Sequence, residues 1–256
     1  MFSSAERAAW EKDGYVRLGQ VMTDAELAAL QQRIDAIMMG EIVYEGMFFQ
    51  IDSTTGNYGD LTGSGYAGPT LNYRKIQDLE RDPLFLAYMQ KPIFRDITRA
   101  LVGENISCFR AMFMNKPAHR GTVLPYHQDG GGQWELDREK FVTIWTALDP
   151  STLANGCVQI IPGSHTLGLL SERGHTITPE QEAQYCKEED SIYLEAKPGE
   201  SFLLHNYVLH RSGVNTSSQS RRAFSVVYMD ATTRSTRNGG GFPVIFGDGA
   251  LIPGRV

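Results

Sequence analysis

The chain has 256 residues, with 30 acidic against 24 basic side chains and a formal net charge of -6, which gives no electrostatic reason to expect nucleic acid. Three cysteines, Cys108, Cys157 and Cys186, form no disulfide framework. No apolar run approaches the roughly 18 residues that a membrane helix needs, and a chain of this length buries enough surface to fold without a structural metal.

The N-terminal third reads as helical. Ser3 with Glu6, and Thr23 with Glu26, have the spacing of capping boxes. Behind Thr23, Leu27, Leu30, Ile34 and Ile37 recur as one apolar stripe. Between the two helices, residues 14–18 (GYVRL) read as a short strand. Asp82-Pro83 marks a helix start, with proline in the first turn where its missing N–H costs nothing. Pro92 breaks or restarts that helix before Ile93, Phe94, Ile97 and Leu101. Residues 40–75 show little periodicity. The Gly/Ser/Thr-rich stretch at 50–70, which carries Tyr58 and Tyr66, is either a plain surface loop or a lid over a pocket; its length favours the lid.

From residue 105 the period becomes that of strands. ISCFRAMFMN, FVTIWTAL, CVQII, SFLLH and AFSVVYMD are short runs rich in branched and aromatic residues, separated by turn-forming clusters. Phe141, Thr143, Trp145 and Ala147 share one face, and Val142, Ile144, Thr146 and Leu148 the other. No helices alternate with these strands, so a sandwich or barrel is expected rather than a parallel sheet. With no linker between helices and strands, the expectation is one domain over 1–256.

The chemistry concentrates in three places. In LPYHQDGG, His127 and Asp129 stand at i and i+2, so on extended backbone they point the same way while Gln128 points elsewhere. His210, in LLHNYVLHRSG, adds a second imidazole from a distant strand. Two histidines and one carboxylate make the facial set of non-haem Fe(II) oxygenases, although ligand type alone leaves zinc or manganese open. Arg221 follows eleven residues after His210, before an apolar strand. An arginine turned into a barrel mouth needs an anion, and its planar fork suits a carboxylate such as the distal end of a 2-oxo acid. The competing reading of Arg221-Arg222 is a solvated basic pair.

These segments, taken together, resemble the phytanoyl-CoA dioxygenase-like family of Fe(II)/2-oxoglutarate oxygenases. The matching pieces are GYVRL, residues 112–117 (MFMNKP), HQD, the tryptophan sixteen residues after Asp129, residues 155–165 (NGCVQIIPGSH) and residues 210–222 (HRSGVNTSSQSRR), in the family's order. The resemblance implies a mainly β fold: a double-stranded β-helix (jelly roll, cupin-like) with N-terminal helices packed outside. It implies iron on His127, Asp129 and His210, and 2-oxoglutarate held at its distal carboxylate by Arg221 with Ser212 nearby. Met112, Gln128 and Trp145 match family positions lining the cosubstrate pocket. A family lysine that assists 2-oxoglutarate has no clear match here; Asn72, Arg74 and Lys75 lie near its place, with Asn72 or Lys75 favoured for the role. Asp129 itself argues for hydroxylation or another oxidation, since related halogenases carry a small residue in its place.

The implied activity consumes dioxygen and 2-oxoglutarate, releases succinate and carbon dioxide, and oxidises a C–H bond of a small metabolite or natural-product intermediate. Candidate substrate contacts are Tyr58, Tyr66, Gln133, Trp134, Arg234, Arg237 and the His119-Arg120 pair; His165 and His205 read as structural. The alternative is a non-oxidative metal-dependent jelly-roll protein, an isomerase or a small-molecule binder. No nucleic-acid or membrane partner is expected. A cytoplasmic location is the default in the absence of a leader sequence. Periodicity alone does not separate an oligomer interface from the core, so oligomeric state stays open.

Overall fold

The computed structural model describes residues 2–61, 65–139, 141–171 and 175–255. Helices α1 (Ser4–Asp13) and α2 (Asp24–Met38) flank strand β1 (Tyr15–Gln20). Both helices open on the expected capping boxes: the Ser3 and Thr23 hydroxyls accept from the Glu6 and Glu26 N–H groups, and each glutamate reaches back. Strands β2 (Phe49–Ile51) and β3 (Tyr73–Ile76) precede helices α3 (Pro83–Met89) and α4 (Pro92–Leu101). Strands β4 (Ile106–Lys116), β5 (Leu124–His127), β6 (Phe141–Ala147) and β7 (Val158–Ile160) follow. After the short helix α5 (Pro179–Tyr185) come β8 (Ile192–Leu194), β9 (Glu200–Leu204), β10 (His210–Ser212), β11 (Arg221–Asp230) and β12 (Val244–Phe246).

The strands form two antiparallel sheets. The larger runs β1-β9-β6-β11-β4-β3-β2, with β12 also paired to β4, and the smaller runs β5-β10-β7-β8. This is the double-stranded β-helix, with helices on the outer face of the larger sheet. The division of side chains along β6 shows why. All seven of its residues are buried. Val142 and Ile144 pack with Ile34, Phe85, Phe94 and Phe224 in the core beneath the helices. Trp145 and Ala147 turn the other way and join Val158, Ile160, Phe202 and Leu204 between the sheets. A strand covered on both faces has no polar side, and its one helix-side hydroxyl, Thr146, is satisfied by Tyr88 and Ser201 at 2.7 Å each.

Residues 40–75 depart from the expectation of an irregular segment. β2 and β3 pair, with Phe49 opposite Ile76 and Gln50 opposite Lys75, and extend the larger sheet beyond β4. Their three and four residues are too few to establish a period of two in the sequence. Of the two tyrosines between them, Tyr66 packs on Phe49 and Tyr73, while Tyr58 lies within 5.6 Å of Arg74 at the inter-sheet cavity. Residues 62–64 of the expected lid lie outside the described residues.

Candidate metal and cosubstrate site

β5 and β10 are neighbours in the smaller sheet, and their register sets His127 directly opposite His210. The two rings lie 3.9 Å apart. Each ring is held the same way: Nδ1 of His127 donates to the Pro125 carbonyl at 2.8 Å, and Nδ1 of His210 to the Val208 carbonyl at 2.9 Å. A carbonyl only accepts, so each Nδ1 carries the proton and each Nε2 keeps its lone pair. Asp129 follows two residues after His127, its backbone N–H fixed to the Asn206 carbonyl at 2.7 Å. His210 Nε2 stands 3.8 Å from one Asp129 oxygen, and Nδ1 of His175 stands 3.9 Å from the other.

His127, Asp129 and His175 place their ligand atoms within 4.8 Å of one another, a two-histidine, one-carboxylate set, with His210 beside it. Burial, reinforced by the two neighbouring histidines, drives the His127 pKa far below its ordinary value, and burial brings His175 to about 4. Both imidazoles are therefore neutral, the form that ligates metal. His175 escaped the sequence reading because no linear spacing ties it to the other ligands. Its neighbour Thr176 bridges to His127 across the fold.

The cavity beside these residues is lined by Met112, Trp145, Ser212 and Arg221, the positions expected for cosubstrate contacts. Register explains the grouping: Ser225 on β11 faces Met112 on β4 and Trp145 on β6. Arg221 is 2 % exposed, and its Nε and Nη1 have no hydrogen-bond partner. The Trp145 ring lies 5.8 Å beneath the guanidinium, and its own Nε1 is also unpartnered. Burial pulls the Arg221 pKa down to about 10. A buried cation with open donors is costly unless an anion completes it, so this cradle fits the carboxylate of a 2-oxo acid. The N, N, O donor set fits Fe(II) in turn.

Two expected pocket residues are corrected. Gln128 does not line the cavity. Its amide donates to the Gly168 and Tyr207 carbonyls and accepts from the Leu170 N–H, because the strand alternation that aims His127 and Asp129 inward turns it away. Asn72 lies just before β3, its backbone tied to Asp52 and Thr70, and also stays outside. The other two candidates, Arg74 and Lys75, line the cavity, and burial brings Lys75 to about 8. Among the other candidates, Tyr58 reaches the cavity, Trp134 packs on Phe109 and Phe141, and Arg237 pairs with Glu135. Arg234 closes its own turn through the Ala231 and Thr233 carbonyls. His165 and His205 stack on one another, and His205 also on Trp10.

A family model described as phytanoyl-CoA dioxygenase (PhyH) matches residues 10–223. The chain belongs to the phytanoyl-CoA dioxygenase family. It is 27 % identical over 241 residues to a probable phytanoyl-CoA dioxygenase of Caenorhabditis elegans, spanning 89 % of this chain and 75 % of the relative. To the peroxisomal phytanoyl-CoA dioxygenase of Bos taurus it is 25 % identical over 240 residues, spanning 90 % and 69 %. Its fold is shared by EctD from S. alaskensis, solved with 2-oxoglutarate and 5-hydroxyectoine, at a TM-score of 0.74 and 19 % identity over 99 % of this chain and 86 % of that one. Membership and the metal-ligand set together make this protein an Fe(II)- and 2-oxoglutarate-dependent dioxygenase, and the non-oxidative alternative falls. The cytoplasmic default is also corrected, since the bovine, human, rat and mouse relatives are peroxisomal enzymes. Among the described residues no helix is long and apolar enough to cross a membrane.

Proposed function

We propose that the protein hydroxylates, or otherwise oxidises, an unactivated C–H bond of a small metabolite, with iron held by His127, Asp129 and His210 and 2-oxoglutarate anchored through Arg221. The observation that carries the cosubstrate assignment is the buried guanidinium of Arg221 with two nitrogens unpartnered. When bound, iron and 2-oxoglutarate supply the oxidising chemistry, and succinate and carbon dioxide are the coproducts. The protein's own share is orientation and exclusion of water. Arg221 fixes the distal carboxylate, Ser212 lies at the same end, and Lys75 adds positive charge on the cavity wall. Trp145 and Met112 supply apolar cover. The chain acts as one catalytic domain, and Tyr58, from the stretch between β2 and β3, covers the cavity.

What favours His210 over His175 as the second imidazole is the matching support of His127 and His210. Each has Nδ1 tied to a backbone carbonyl two residues earlier, which fixes the ring and aims Nε2. His175 comes from a segment between strands, with its Nδ1 against Asp129. EctD, solved with 5-hydroxyectoine, gives a precedent for a small hydroxylated molecule in this fold.

The test is anaerobic addition of Fe(II) and 2-oxoglutarate, expected to produce the weak visible charge-transfer band of a chelated oxo acid. A protein that binds neither would overturn the reading. Iron stoichiometry of His210→Ala and His175→Ala separates the two ligand assignments. Loss in the first with retention in the second is expected, and the reverse result would assign His175.

A further inference from the structure

Arg221 is not the only cation facing the cavity without a counter-ion. Arg110, on β4, lines the same cavity as His127 and Asp129. Among the described residues it makes no hydrogen bond or ion pair through its guanidinium. It is held instead by aromatic faces, 4.7 Å from the Phe109 ring centre and 5.0 Å from that of Trp134. Trp134 is itself fixed against Phe109 and Phe141, at 4.6 and 5.2 Å. Contact of a guanidinium with aromatic faces positions it without using its N–H donors. Burial pulls the Arg110 pKa below its ordinary value, and Asp129, from a distance and without pairing with it, works the other way.

The register separates Arg110 from the cosubstrate cradle. Arg221 faces Lys116 on β4, while Arg110 faces Val227. Those β11 positions are six residues apart, roughly 20 Å of strand. The inward row Met112, Ser225 and Trp145 crosses the sheet between them. The cavity therefore has two cationic ends, and a single 2-oxo acid held at Arg221 neutralises one of them.

We propose that Arg110 is a specificity-determining residue that clamps an anionic group, a carboxylate or a phosphate monoester, on the substrate to be oxidised. This rests on the dioxygenase reading and adds the substrate's charge class to it. A guanidinium held against two aromatic rings, in the cavity that the metal ligands also line, binds such a group by paired N–H donors, and a neutral analogue leaves those donors unmet. The clamp also fixes which carbon lies near the metal, because the anionic end is anchored at a set place on β4.

The experiment uses the anaerobic enzyme loaded with Fe(II) and 2-oxoglutarate, titrated calorimetrically with a panel of paired probes. Linear, branched and cyclic carboxylic acids are each matched with their amide, and alkyl phosphates with the parent alcohol. In the wild type, at least one anion is expected to bind about tenfold or more tighter than its neutral partner, the range for a charged hydrogen-bonded contact. The carboxylate and phosphate arms decide which group is preferred. In Arg110→Gln that preference disappears while 2-oxoglutarate affinity holds, and Arg110→Lys restores part of it. The proposal is overturned if no anion outbinds its neutral partner. It is equally overturned if the preference survives in Arg110→Gln, or if that variant loses 2-oxoglutarate, which would place Arg110 in the cosubstrate cradle. A wild type that bound anions through Arg110 but formed no 2-oxoglutarate band would overturn the dioxygenase reading and leave the anion clamp standing.

Discussion

Arg221 and Arg222 are adjacent in sequence and opposite in fate. Strand alternation turns the first into the cavity with open donors, and the second outward to Asp149 and Asp35, whose carboxylates it meets at 2.8 and 2.6 Å. The consequence is a separation of readouts. Arg221→Ala is expected to raise the 2-oxoglutarate requirement by about tenfold or more, with iron content nearly unchanged, as measured by succinate release and metal analysis. Parallel loss of iron would make Arg221 structural. Local spacing made His127, Asp129 and Arg221 legible, because an i, i+2 pair and a strand-edge arginine need no knowledge of the fold. His175 was not legible, since its approach to Asp129 depends on how a distant segment packs. Arg110 lay within reach: the alternation that points Met112 inward points Arg110 inward too.

At the scale of elements, Asp82 shows how much one capping residue can hold. It is fully buried; its carboxylate accepts from the Leu84 and Phe85 N–H groups and from the Tyr44 hydroxyl, and pairs with Arg33 at 3.4 Å. The cap was readable from Asp82-Pro83, but the tie to Tyr44 and Arg33 was not, because it joins elements far apart in the chain. Asp82→Ala should lower stability by about 2 kcal/mol or more, the cap plus the partners left unmet. Denaturant unfolding measures it, and a loss well under 1 kcal/mol would refute the network's role. Nearby, burial pushes the Glu80 carboxyl from its ordinary 4.5 up to about 7, with Asp78 adding to the effect. The folded state then binds this proton more tightly than the unfolded chain, so stability falls as pH rises through that window. Glu80→Gln should remove that fall and gain on the wild type above pH 7. Melting temperatures at acid and neutral pH compare the two, and equal slopes would count against it.

For the molecule as a whole, the strand census anticipated a sandwich or barrel, because long buried strands such as β6 and β11 announce themselves, and the family resemblance narrowed that to a jelly roll with helices outside. The short edge strands β2 and β3 did not, as their pairing is set by docking onto β4 rather than by their own period. The same docking brings Lys75 to the cavity and leaves Asn72 outside. One further property follows from the pairing of His127 with His210. They lie in the short strands β5 and β10, four and three residues long, joined across the smaller sheet. On the proposed ligand set, a metal bound by both would be a clasp between distant stretches of chain, closing a loop that the unfolded polypeptide leaves open. Loading with Fe(II) under anaerobic conditions should therefore raise the melting temperature in proportion to metal affinity. Protection from proteolysis should appear first in the smaller sheet, where β5 and β10 meet at only two paired positions.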